Sequence, residues 1–358
     1  MGIYSFVDGK VEDFQEIFNT LIETNGDDYN IFYDPDAYAA PFFPVGKRLL
    51  EEAQMAETTD ISATRDLYLR AAAVFRIARF PINRSPVSHR AWQYGKDVDM
   101  AASPYLDPPN REITIPHTYQ DTSADDKDTI YSYLRIPSKI QQPEGGWPVI
   151  LFICGLDAYR TDHTVRTQSH VCHGFACLSI EIPGTGDSPA APGDPLSPHR
   201  QWSSVFDWIA SSSGGQAYGL DANQVIVRGI STGGYYVMRI AHTHANRLKA
   251  AVAPDGGSHH MFDDTWIRAQ NHMEYPFALA DALAAKCGFS SENSILDMPC
   301  TRLLVINGME DSIFPIEDSI LLCRRGRTKD ARFVDGKGHM GNPGAEEIIY
   351  QWIDDVRV

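Results

Sequence analysis

The sequence predicts an α/β protein built on a mostly parallel, doubly wound sheet, with a helical cap before the sheet and a helical lid set into it. Three observations carry that expectation. Short β-branched runs alternate with helix-length segments from about residue 147 onward. The first hundred or so residues show helical rather than strand periodicity. A stretch of about forty residues between the runs AAVAPDGG and TRLLVING is too long for a simple crossover.

Taken in order, Val11, Phe14, Ile17, Phe18, Leu21 and Ile22 recur at helical spacing, and LYLRAAAVFRIARFP repeats that character until Pro81 stops it. Residues 1–108 are therefore expected to form a helical cap domain. Beyond them the texture changes. Ile113 to Ile115 and Ile130 to Ile136 read as strands around a polar turn rich in Asp, Ser and Thr. The runs WPVILFI, FACLSIEI, NQVIVRGI, LKAAVAP and TRLLVING follow as short buried strands. Residues 109–358 are the expected sheet domain, interrupted at about 258–299 by the lid, which is rich in aromatic and helix-forming residues.

Composition bounds the partners. With 31 Lys and Arg against 47 Asp and Glu, the net charge is −16. Such a chain repels phosphate backbones and anionic lipid, which argues against nucleic acid and membrane surfaces. The longest apolar stretch, PVILFICGL, falls far short of the ~20 residues that cross a bilayer. The opening MGIYSFVDGKVEDFQE has neither a basic n-region nor an apolar h-region, and Phe6 stands where a myristoylation signal wants Ser or Thr. A cytoplasmic location is expected. The 6 cysteines form no C-x-x-C pair and several lie in apolar runs, which suits free thiols in a reducing compartment. A small hydrophobic or aromatic molecule is the expected partner, and a homodimer is left open.

The chemistry concentrates in VRGISTGGYYVMR, where Ser231 sits in Gly229-Ile230-Ser231-Thr232-Gly233 between a β-branched run and a helix-compatible one. Strand, G-x-S-x-G, helix is the context a nucleophile elbow requires, because the turn is strained and packs closely on neighbouring backbone. Asp311 lies just past the buried run LLVING, and His339 lies in the glycine-rich loop of FVDGKGHMGNPG. The order Ser231, Asp311, His339 is that of the α/β-hydrolases. In that arrangement His339 takes the Ser231 proton, and Asp311 holds the imidazole tautomer and stabilises the imidazolium. Glu310 and Asp318 rival Asp311; its spacing from the strand end and from Pro315 ranks it first. The oxyanion donors expected are the backbone N–H of Leu156, after Gly155 in LFICGLDAYRTDH, and that of Thr232.

The C-terminal two thirds thus resembles an α/β-hydrolase. Together, the helical N-terminal segment with FRIARFPINRSP, the loop CGLDAYRTD and the elbow GISTGGYY are similar to the FrsA-like family, which includes fungal polyketide-shortening hydrolases of pigment pathways and 2,6-dihydroxypseudooxynicotine hydrolase. Cys154 replaces the first glycine of the family's G-G-L-D oxyanion loop. The resemblance implies hydrolysis of a carbon–carbon bond beside a ketone, of the β-diketone type, in an aromatic or polyketide substrate of fungal secondary metabolism. The same machinery would serve a carboxylesterase or lactonase, and a third reading is a catalytically silent hydrolase fold used for binding. A prolyl-type peptidase is disfavoured because helical residues, not a propeller, precede the sheet.

Candidate substrate contacts are Asp157 and Tyr159 after the oxyanion loop, Asp255 at the strand end following the nucleophile helix, and Trp266 in the lid. Asp157 can equally pin the cap by ion pairing with its neighbours, as can Arg160, and Asp255 can equally cap the start of the lid. Tyr275, Phe277, Phe75 and Phe80 could stack on a planar substrate, although aromatic residues at helical spacing are more often core. His259 and His260, like His163, His170 and His173, match no zinc-ligand spacing, so neither metal nor cofactor is expected.

Overall fold

The computed structural model describes residues 4–191, 194, 196–255, 257–258, 299–324, 326–327 and 329–357. The expected lid, with Trp266, Tyr275, Phe277, His259 and His260, falls outside these residues apart from its end positions Ser258 and Pro299.

Five helices open the chain: α1 (Val11–Asn25), α2 (Pro35–Ala39), α3 (Phe42–Ala56), α4 (Ile61–Arg79) and α5 (Pro86–Ala102). Local sequence sets their starts. Asp60 caps α4 by accepting from the Ala63 N–H at 2.9 Å, and Ser85 caps α5 by accepting from the Ser88 N–H at 3.1 Å, with Pro86 in the first turn where no N–H is needed. The second half of α4 is buried on every side, from Ala71 to Arg79. Its small Ala71, Ala72 and Ala73 let neighbouring helices close in, and Phe14, Phe42, Leu49 and Phe75 fill the core that results. Phe75 stacks on Tyr94 at 5.0 Å within that core, so it packs rather than faces a ligand.

The sheet has eight strands: β1 (Arg111–Pro116), β2 (Thr129–Arg135), β3 (Trp147–Ile153), β4 (Ala176–Ile180), β5 (Leu220–Gly229), β6 (Ala250–Pro254), β7 (Leu303–Gly308) and β8 (Asp330–Val334). Their spatial order is β1-β2-β4-β3-β5-β6-β7-β8. The β1–β2 and β2–β4 pairs are antiparallel, and every other pair is parallel. Burial follows position. Central β3 is buried at every residue, whereas edge strand β1 alternates exposed and buried. Helices α6 (Thr164–Cys172), α7 (Ser197–Ala210), α8 (Thr232–Thr243), α9 (Ile316–Cys323) and α10 (Ala345–Arg357) complete the described elements. Two apolar clusters flank the sheet, one including Trp202, Val205 and Val237, the other Ile349, Trp352 and Ile353. None of the described helices is long and apolar enough to cross a membrane.

Candidate active site

The turn from β5 into α8 explains its own glycines. A Cβ on Gly233 would sit 2.5 Å from the carbonyl oxygens of Ile153 and Cys154, and one on Gly229 would sit 2.5 Å from the Gly233 backbone. Only glycine lets the ends of β3 and β5 meet the start of α8. Between them Ser231 takes φ 49 and ψ −128, a conformation that side chains rarely adopt and that surrounding structure must hold. Its hydroxyl stands half-buried at the carboxyl edge of the sheet, where α/β folds open their crevices.

His339 reaches Ser231 from the loop after β8, with Nε2 3.0 Å from Ser231 Oγ. The other ring nitrogen, Nδ1, faces two carboxylates. Asp311 Oδ2 lies at 3.2 Å, and Asp255 Oδ2 lies closer still. Asp311 is further held by the N–H groups of Ile313 at 2.7 Å and Phe314 at 3.2 Å and by the Asn307 amide at 3.0 Å. Burial alone would raise its pKa, but hydrogen bonds from His339 and Asp255 carry it well below the usual carboxylate range. Asp255 is fully buried, and burial pushes its pKa well up despite the His339 charge, with Asp311 adding to the rise. Asp255 and Asp311 thus stand side by side against His339 Nδ1, with Asp255 the harder of the two to ionise. Burial lowers the His339 pKa, but both carboxylates overcome it and lift the imidazole to about 9.

Asn307 ties the two loops together. Its side-chain carbonyl accepts from the Gly308 N–H at 2.7 Å and the Met340 N–H at 3.1 Å, while its amide donates to Asp311. Sequence reasoning missed it, although one polar residue inside the apolar run LLVING is a signal that a buried amide has specific partners. The rivals of Asp311 stand elsewhere: Glu310 is exposed, and Asp318 accepts from the Ser258 N–H at 2.8 Å.

After β3, the loop carrying Gly155 and Leu156 runs beside the elbow, with the Gly155 Cβ direction 3.5 Å from the Ile230 carbonyl oxygen. Among the described residues, the backbone N–H groups of Leu156 and Thr232 have no hydrogen-bond acceptor. The loop is pinned from the cap side. Arg79 of α4 donates to the Asp157 carbonyl at 3.1 Å and pairs with Asp162, which also takes the Arg76 guanidinium at 3.1 Å and the Tyr159 N–H at 2.9 Å. Arg160 pairs with Glu181 and Asp187, both at 2.9 Å.

Sequence alone offers Asp157, Tyr159 and Asp255 to substrate. The structure turns two of them elsewhere: Asp255 to His339, and Tyr159 into full burial, its hydroxyl donating to Asn83 at 2.9 Å and its ring 3.7 Å from the Arg79 guanidinium carbon. Asp157 stays near the site, its carboxyl pKa raised by burial with a lowering influence from His339. Asp255, Asp311 and His339 also present one ligand atom each within 4.8 Å of one another, a donor set that could hold a divalent cation. The Nε2 contact with Ser231, at 3.0 Å, places the imidazole where it could exchange a proton with that hydroxyl.

A family model describing the prolyl oligopeptidase family matches residues 166–354, more than half of the chain and the stretch that contains Ser231, Asp255, Asp311 and His339. The chain belongs to the prolyl oligopeptidase family. The match begins inside α6, after helices α1–α5 and strands β1–β3. A hydrolase of Phaeosphaeria nodorum, phmG, is 28% identical over 234 residues, covering 62% of this chain and 50% of that protein. The esterase FrsA of Citrobacter koseri is 22% identical over 283 residues, covering 76% of this chain and 59% of that one. The chain thus spans about half the length of the curated relatives it matches. Among solved structures, a 2,6-dihydroxy-pseudo-oxynicotine hydrolase superposes with TM-score 0.67 at 17% identity over 94% of both chains, which shows the same α/β-hydrolase fold with its helical N-terminal region.

Proposed function

We propose that the protein is a serine hydrolase whose nucleophile is Ser231, whose general base is His339 and whose acid is Asp311 assisted by Asp255, and that it cleaves a carbon–carbon bond beside a ketone. The observation that carries this reading is the imidazole bridge, 3.0 Å from Ser231 Oγ on one side and in contact with two carboxylates on the other. His339 Nε2 takes the Ser231 proton as Oγ attacks the carbonyl carbon. The N–H groups of Leu156 and Thr232 hold the oxyanion, and losing one such donor typically costs ~3 kcal/mol of transition-state stabilisation. In a β-diketone the bond to the α-carbon then breaks, its electron pair leaves as an enolate, and His339 returns the proton to that carbon. Water, activated by the same imidazole, releases the acyl group from Ser231.

The hydrolase names of the relatives, the FrsA-like sequence resemblance and the likeness over nearly the whole length to 2,6-dihydroxy-pseudo-oxynicotine hydrolase support the carbon–carbon reading. The name of the FrsA relative supports an esterase as the second reading, since an ester asks for the same nucleophile, base and donors with an easier leaving group. Asp157, within electrostatic reach of His339, is proposed to meet a substrate polar group. The substrate is a small aromatic or polyketide ketone of the kind secondary metabolism makes, and the cap of residues 1–108 encloses it.

A fluorophosphonate probe should label Ser231, and Ser231→Ala should abolish labelling and lower kcat by several orders of magnitude with an unchanged melting temperature. Failure to label would favour a silent binding fold. Mass spectrometry of products from aromatic β-diketones beside aryl esters separates the bond types: intact diketones with rapid ester turnover would leave the esterase reading standing.

A further inference from the structure

Behind the elbow, on the far side of Ile230, lies a small cavity of about 10 Å³, room for one particle of water or halide size. Its walls include Arg166 of α6, Arg228 of β5, Asn342 and Glu346 of α10. Arg228 is 1% exposed, and only its Nη2 is partnered, donating to Glu346 Oε1 at 2.5 Å. The Nε and Nη1 groups of the same guanidinium are buried without an acceptor, and Glu346 Oε2 on the same wall is buried without a donor. A guanidinium keeps all five N–H donors and its charge at any ordinary pH, so these positions call for an acceptor rather than a change of protonation. Arg166 brings a second positive charge to the same walls, and its pKa is lowered by burial and then by Arg228, the mark of two like charges held close. Glu346 is the one carboxylate there, so the two guanidiniums leave one positive charge uncompensated.

We propose that this cavity is a chloride-binding site. One monoatomic anion matches the volume, supplies the acceptor that Arg228 Nε and Nη1 lack, and neutralises the remaining charge. The position is consequential because the cavity wall also contains Ile230, Pro254 and Met340, which adjoin Ser231, Asp255 and His339 in the chain. An ion seated there braces the three turns that carry those side chains. The site does not depend on the catalytic reading, since it rests on the arginines alone.

The test compares thermal unfolding in sodium chloride and in sodium gluconate at matched ionic strength. A chloride-specific, saturating rise in Tm of roughly 2 °C is expected. Crystals grown with sodium bromide should show an anomalous peak between Arg166 and Arg228. Arg166→Gln, a half-buried position whose loss leaves the Arg228–Glu346 pair in place, should fold normally and lose the chloride response. Glu346→Gln removes the opposing negative charge and should lower the half-saturating chloride concentration several-fold, a change that a merely structural arginine pair would not produce. Equal melting in chloride and gluconate, a water with no anomalous signal at the site, or an undiminished chloride response in Arg166→Gln would each overturn the proposal.

Discussion

His339 Nδ1 faces two carboxylates, which changes what each one is worth. With one acid, replacing the aspartate by asparagine leaves the imidazole in the wrong tautomer and costs on the order of 10⁴-fold in kcat. Here Asp311→Asn leaves Asp255 against Nδ1, and Asp255→Asn leaves Asp311 with its two backbone donors. Each single variant should keep activity within roughly 10²-fold of the parent, and the double variant should show the ~10⁴-fold loss. The pH profile carries the sign. In the proposed mechanism His339 must be neutral to accept the Ser231 proton, and its pKa is lifted to about 9. The parent kcat/KM should therefore rise with pH into the region of 9, and removing either carboxylate should move that limb to lower pH. A limb that stays in place in both single variants would show that the carboxylates do not govern the imidazole. At this scale Ser231, Asp311 and His339 were legible because residue type, order and strand-end position together have few alternatives. Asp255 was visible as a strand-end acid, yet its partner was not: the direction of its side chain depends on φ 61 at that residue, a backbone choice made by tertiary packing.

Among the elements, the strands were the most legible, because parallel strands buried on both faces read as unbroken apolar runs, and β3 through β7 all lie on such runs. The link between the helical segment and the proposed oxyanion loop was not legible. FRIARFP reads as a buried amphipathic helix end, and nothing in its spacing reveals that Arg76 and Arg79 converge on Asp162, more than eighty residues later. Those contacts make α4 a support for the loop that presents the Leu156 N–H. Arg79→Met removes the hydrogen bond to the Asp157 carbonyl and leaves the buried Asp162 with Arg76 as its one remaining arginine partner. Breaking a buried ion pair from one side costs about 3 kcal/mol, so Tm should fall. If the Leu156 N–H is the oxyanion donor proposed above, it is then less well fixed, and kcat should drop by up to ~10²-fold with KM little changed. Arg79→Lys restores charge but not the planar fork over Tyr159 and should lie between the two. A large Tm loss with parental kcat would mean that the loop holds its geometry without the cap.

Across the whole molecule, buried titratable groups predict how stability depends on pH. His163 and His199 are brought down to about 3 and His244 to about 4, in each case by burial first and then by neighbouring arginines. Each binds a proton more readily in the unfolded chain, where its pKa is near 6.5. Their contribution is therefore complete above about 6.5 and is lost as pH falls toward the folded values. Asp162 acts in the same direction at still lower pH, because Arg79 and Arg76 outweigh its burial and hold its carboxyl ionised. His339 has the opposite sign: its folded pKa of about 9 lies above the unfolded value, so its contribution is complete below about 6.5 and disappears as pH rises through 9. His117 and His170 are lowered by burial too and oppose acid with the three histidines above, whereas Asp99, raised by burial to about 7, and Asp255, raised by burial, share the sign of His339 and lose their contribution as pH rises. Calorimetric Tm measured from pH 4 to pH 10 should show a shoulder descending from about 6.5 downward and a separate decline toward 9. His339→Gln should reduce the alkaline decline and leave the acid one in place. A Tm that is flat between pH 4 and 6.5 would mean that these histidines gain water and charge without unfolding the chain.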